Sequence, residues 1–141
     1  MLLTIICISV ICFAVIIHYE VLHQLSVILP SLKIKHRMRI VVGVIGTLFA
    51  HVIEICIFGY AYYRMNEHQH LGSLVGNFDG SYFDSIYFSF TTYTTLGFGD
   101  VEPLGPLRLL VGLEALTGLV LITWSASFLY IEMRAYWDDN N

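Results

Sequence analysis

The sequence predicts an all-α membrane protein with three transmembrane helices and a short re-entrant helix that runs into an extended, glycine-containing loop. Two observations lead there. Of 141 residues, 57% are hydrophobic and only 13% are charged, whereas an ordinary soluble domain carries roughly 45–50% apolar and about 25% charged residues. The apolar residues also fall into runs long enough to cross about 30 Å of hydrocarbon, which takes roughly 20 residues of helix. These runs extend from Leu2 to about Leu29, from about Ile40 to Tyr63 and from about Leu107 to Ile131. A water-soluble enzyme needs a polar surface that this composition cannot supply. Seven Lys and Arg against eleven Asp and Glu, a net charge of −4, argue against nucleic-acid binding. Cys7, Cys12 and Cys56 are odd in number and lie in apolar runs, so they read as packing residues and not as a disulfide framework. No segment outside the runs is long enough to form a soluble regulatory domain.

The first run is too long for a secretory signal, and it has neither a basic leader nor a small-residue cleavage site. Between the first two runs, Lys33, Lys35, Arg37 and Arg39 supply four of the seven basic residues. Basic loops stay in the cytoplasm, so the N-terminus and the segment 64–106 are expected outside and the tail from Glu132 inside. Tyr136 and Trp137 would then sit in the inner aromatic belt. The outer segment carries Glu67, Asp79, Asp84, Asp100 and Glu102, in keeping with this orientation.

After a polar linker holding Gly72, Gly76 and Gly80, Ser81 with Asp84 three residues on reads as a helix start. The aromatic and hydroxylic residues to Thr94 make a helix of about 20 Å at 1.5 Å per residue, too short to span. It leads directly into Thr95-Leu96-Gly97-Phe98-Gly99-Asp100. Irregular backbone at membrane depth is tolerated only inside protein or along a watery path. Alternating glycines allow left-handed dihedrals, so that successive carbonyls can face one side as a column of oxygens.

Thr94-Thr95, Leu96, Gly97, Phe98, Gly99 and Asp100, with Pro103 following, resemble the filter of the potassium channel family. The resemblance covers residues 40–131. It implies a pore domain over 40–141, with an outer helix at 40–63, an outer linker at 64–80, a pore helix at 81–94, a filter at 95–100, an inner helix at 106–131 and a short cytoplasmic tail. Residues 1–39 add an N-terminal transmembrane helix and the basic cytoplasmic loop. By resemblance, carbonyls from Thr95 to Gly99 and the Thr95 hydroxyl would hold K+, and Asp100 would stand at the outer mouth. Leu96 and Phe98 replace the commoner Val and Tyr. Phe98 lacks the hydroxyl that ties the filter to an aromatic cuff, here expected from Tyr87, Phe88 and Tyr93. One loop supplies a quarter of a ring, so the pore is expected to be a homotetramer in an inner or plasma membrane. It would conduct K+ passively, with K+ as permeant ion, no cofactor and no enzymatic activity. A poorly selective cation channel is the neighbouring alternative.

Gly118 lies where the family's inner helix often hinges; close packing through a small residue is the other reading. Ionisable groups inside spans cost about 2.5–3.5 kcal/mol each on the insertion scale and need partners. Glu114 is expected behind the pore helix, bracing the filter through Thr91, Thr92 or Tyr93. His18, Glu20 and His23 in the first span and His51 and Glu54 in the second form a further cluster, because counting from the hairpin centre sets His18 level with His51. This cluster has three readings: a transition-metal or sensor site, a proton-sensitive pair, or a hydrogen-bonded strut. His68 and His70 read as solvated loop residues. There is no Arg-rich helix suited to voltage sensing.

Overall fold

The apolar runs fold as long helices because only a helix satisfies its own backbone in lipid. The computed structural model describes residues 2–138, without the side chains of residues 36, 69 and 135–138. Tyr136 and Trp137 as belt residues therefore lie outside the described side chains. The helices are α1 (Leu2–Ser31), α2 (His36–Asn66), α3 (Tyr82–Tyr93) and α4 (Arg108–Asp138). By length and composition α1, α2 and α4 can each cross a bilayer, and α3, at 12 residues, cannot. Helix α1 continues past Leu29 and stops one residue after Pro30, whose missing N–H leaves the last turn one hydrogen bond short. Arg39 Nη2 donates to Leu32 O at 2.7 Å, satisfying a carbonyl just past the end of α1.

Side chains are arranged inside out relative to a soluble protein. Ile5, Ile8, Phe13 and Ile16 of α1 and Ile45, Leu48 and Phe49 of α2 are exposed, as lipid-facing positions should be. His18, Thr47, Glu54, Ser85, Ser89, Glu114, Thr117 and Ser125 are buried. One apolar core joins Cys7 and Ala14 of α1, Phe58 and Tyr62 of α2, Phe88 and Tyr93 of α3 and Leu107 and Leu110 near the start of α4. Leu22, Leu25 and Leu29 form a second cluster towards the α1–α2 turn.

Helix α3 lies between α2 and α4, and glycines set both distances. A Cβ at Gly59 of α2 would come 2.9 Å from Ile86 Cα, and one at Gly118 of α4 would meet the Tyr93 carbonyl. Small residues at helix contacts are the usual route to close packing where lipid offers no hydrophobic drive.

A small antiparallel ribbon was not expected from the sequence. It pairs β1 (Ser73–Gly76) with β2 (Val101–Leu104), in the register Ser73↔Leu104 and Gly76↔Val101. Each strand is four residues long and carries Gly or Pro, so neither has a strand signature. The excursion through α3 brings them together. Gly76, at φ +97°, lies where a Cβ would strike the Asp100 carbonyl, so the ribbon closes tightly over the end of the glycine loop.

Candidate functional site

The site is built from the two ends of α3. At its start, Ser81 Oγ accepts from Asp84 N at 3.1 Å, an N-cap that satisfies one of the free N–H groups of the first turn. The Asp84 carboxylate reaches back to Asp79 N at 2.9 Å and not to Ser81 N, which instead bonds Asp79 Oδ1 at 2.7 Å. At its end, Thr94 caps the helix, and its hydroxyl donates to Phe90 O at 2.6 Å.

Beyond Thr94 the backbone alternates in hand. Thr95, Gly97 and Gly99 have φ of +58°, +52° and +77°, while Leu96 and Phe98 between them do not turn positive. An extended strand sends carbonyls alternately to opposite sides, and alternating left- and right-handed residues cancels that alternation. Two glycines reach this conformation freely. Thr95 does not: a β-branched residue at positive φ is a genuine outlier, held against a cost of order 1–3 kcal/mol. Two bonds back to α3 hold it, Thr95 N to Thr92 O at 2.9 Å and Gly97 N to Thr91 O at 3.0 Å.

The far end is tied separately. Asp100 O accepts from Asn77 N at 2.8 Å, and the Tyr87 hydroxyl donates to Asp100 Oδ2 at 2.8 Å. Residues 94–99 are exposed on an open face of the subunit, with Leu96 at 59% and Phe98 at 64%.

Within one subunit the three aromatic residues expected as a cuff take different places: Tyr87 bonds the end of the loop, and Phe88 lines a pocket with Thr95, Gly97, Phe98 and Gly99. Phe88 is buried against Tyr62, edge to face at 5.0 Å, and Tyr93 turns into the subunit to donate to Glu54. Glu114 is fully buried, accepts from Tyr62 OH and is hydrogen-bonded to Ser89 Oγ. It therefore braces α3 about one turn before Thr92, through Ser89 and not through Thr91, Thr92 or Tyr93. Thr92 supports the loop through its backbone oxygen. Gly118 lies in an unbroken α4 at a contact with the end of α3.

The ionisable cluster is smaller than expected. His18 Nδ1 lies 2.8 Å from Glu54 Oε1 and His51 Nδ1 3.1 Å from Glu54 Oε2, with the histidine rings 5.2 Å apart. Glu20 and His23 are not part of it: Glu20 bonds Gln24 at 2.8 Å, and His23 stacks on Tyr19. At 3.6 residues per turn they lie about 200° and about 140° round the helix from His18, so equal depth does not mean a shared face. Ser125 of α4, which the sequence offers as a small residue beside an inner cavity and not as part of this cluster, approaches both imidazoles. Cys7, Cys12 and Cys56 are free thiols. The His68 and His70 rings are 5.8 Å apart in the outer segment.

A family model described as "Ion channel" matches residues 50–135. The chain is also 44% identical over 52 residues to the inward rectifier potassium channel Kirbac3.1 of Paramagnetospirillum magnetotacticum. That match takes in 36% of this chain and 18% of the relative's length.

Proposed function

The chain belongs to this ion-channel family, and from that membership we propose that it is a potassium channel whose filter is the loop from Thr95 to Gly99. It is a membrane protein and not an enzyme; passing an ion breaks no bond. The observation that carries the reading is the alternation of positive φ at Thr95, Gly97 and Gly99 within Thr-Leu-Gly-Phe-Gly. Carbonyls aimed to one side replace the hydration shell of a monovalent cation, and oxygens from several loops are needed to surround it. One loop on the open face of one subunit offers a single column, so the complete site is a ring of four subunits. Asp100 stands at its outer mouth.

The C-terminal end of α3, with its partial negative charge, favours a cation near the base of the loop. The Tyr87–Asp100 bond takes the place of the tie that Phe98 cannot make, and this supports a selective filter over a loose cationic pore. The basic loop around Lys33–Arg39 supports an orientation with that turn in the cytoplasm of a plasma or inner membrane and the N-terminus outside.

The test is flux from liposomes holding purified protein. Potassium efflux blocked by barium, with a much smaller sodium flux, and a cross-linked mass of four chains are expected. Equal potassium and sodium fluxes would leave a nonselective cation pore, and a monomer that passes neither ion would end the proposal.

A further inference from the structure

We propose that His18, His51 and Glu54 form a binding site for a divalent transition-metal ion of the zinc class. It lies inside the subunit, between α1, α2 and α4, and does not depend on which ion the pore passes. Their donor atoms lie within 4.8 Å of one another, and His18 and Glu54 are completely buried. Two imidazoles and one carboxylate are the donor set of many divalent metal sites.

Counting hydrogens carries the inference. Each histidine Nδ1 faces a Glu54 oxygen, at 2.8 and 3.1 Å. Each Nε2 faces the same hydroxyl, Ser125 Oγ, at 3.4 Å for His18 and 3.1 Å for His51. With Glu54 ionised and both histidines neutral, both Nδ1 atoms must donate to the carboxylate. Both Nε2 lone pairs are then left facing a hydroxyl that has one hydrogen. One buried nitrogen goes unsatisfied, and the cluster keeps a net negative charge inside an apolar bundle; both are costly.

A divalent cation satisfies both imidazoles and neutralises the Glu54 carboxylate, leaving one positive charge spread over the ion and its ligands. Nδ1 of each histidine and the Glu54 carboxylate become ligands, and each Nε2 then carries a hydrogen. Ser125 Oγ accepts both with its two lone pairs. An oxygen acceptor on the far ring nitrogen is the usual support of a metal-bound histidine. Tetrahedral ligands at 2.0–2.2 Å stand about 3.4 Å apart, so the two Nδ1–carboxylate separations need widen by only about half an ångström, and donors of all three residues already lie within 4.8 Å of one another. The Tyr93 hydroxyl, which donates to Glu54 and lies 2.9 Å from His51 Nδ1, hydrogen-bonds the ligand carboxylate. The Trp124 ring, 5.3 Å from that of His18, closes the α4 side. A bound ion would thus fasten α1 and α2 to Tyr93, two residues before Thr95.

The experiment uses the full chain purified in detergent without a histidine tag, stripped with chelator and loaded with Co2+ or Zn2+. Visible absorption of tetrahedral cobalt, about one ion per chain and a melting temperature that rises with added Zn2+ are expected. His18→Gln and His51→Gln, which keep side-chain volume and polarity, should lose the cobalt band while remaining monodisperse. Ser125→Ala should weaken cobalt affinity by roughly 10-fold or more, because it removes the oxygen that orients both rings. His68→Ala with His70→Ala should change nothing. No band and no thermal shift in the folded wild type would overturn the proposal, leaving a proton to complete the cluster. A band that survives in His18→Gln and His51→Gln, or that disappears with His68 and His70, would also overturn it.

Discussion

Gly118 of α4 lies against the backbone of Tyr93, the last residue of α3, so closely that a Cβ there would stand 3.0 Å from the Tyr93 carbonyl carbon. The contact fixes the base of the glycine loop from the side of α4. Packing and hinge roles predict opposite signs for Gly118→Ala. If Gly118 only allowed bending, alanine would raise stability by up to about 1 kcal/mol through helix propensity. At this contact the added methyl is overpacked, which costs about 1–3 kcal/mol. A lowered melting temperature with reduced flux is expected, read by thermal unfolding in detergent and by liposome efflux.

Gly97 tests the loop itself. At φ +52° an L-residue pays roughly 1–2 kcal/mol for the left-handed conformation, yet within one subunit a Cβ there meets nothing within 4 Å. Gly97→Ala should therefore insert and assemble normally while potassium flux is lost, because the strain falls on the carbonyl direction and not on the helix packing. Normal efflux from this variant would count against the conducting role of the loop.

The long helices were legible because a bilayer dictates composition as well as length, and α3 because Ser81 and Asp84 mark its start. The ribbon was not, since Gly76 meets Asp100 only after α3 and the loop have folded between them. The left-handed Thr95 was equally hidden: nothing about threonine favours positive φ, and the bonds that hold it there come from Thr91 and Thr92. Counting residues from the hairpin gave the depth of His18 against His51 correctly. Depth carries no information about rotation round the helix, so Glu20 and His23 were grouped with residues that face elsewhere. Glu114 differs in depth instead: its partner on α3 is Ser89, about one turn before the expected Thr92.

The Tyr87–Asp100 bond has a pH signature. Its 2.8 Å hydrogen bond to Asp100, followed by desolvation, raises the Tyr87 hydroxyl above its ordinary value. A group whose folded value is raised contributes stability fully below its unfolded value, near pH 10 for tyrosine, and loses it as pH rises through the folded value. The tie is therefore intact at neutral pH and breaks only in alkali. Tyr87→Phe should remove one tyrosine's share of the late-titrating tyrosinate absorbance and speed the decline of potassium current under sustained conduction. An unchanged alkaline titration would show that the hydroxyl has no such partner.

Glu114 gives the sharpest contrast between two substitutions at one site. Ser89 has one hydroxyl hydrogen but faces two acceptors, the Glu114 carboxyl and, at 2.9 Å, Ile55 O. Tyr62 meanwhile donates to the other Glu114 oxygen. The bonding closes when the group at 114 accepts from Tyr62 and itself gives a hydrogen to Ser89, leaving the serine's own hydrogen for Ile55. An amide does both. Glu114→Gln should accordingly unfold within a few degrees of wild type. Glu114→Ala strands the Tyr62 hydroxyl and opens a cavity, at roughly 1–3 kcal/mol for the unpaired buried donor alone. A large fall in melting temperature is expected for alanine and little for glutamine; equal losses in the two would mean that the carboxyl is needed in its charged form.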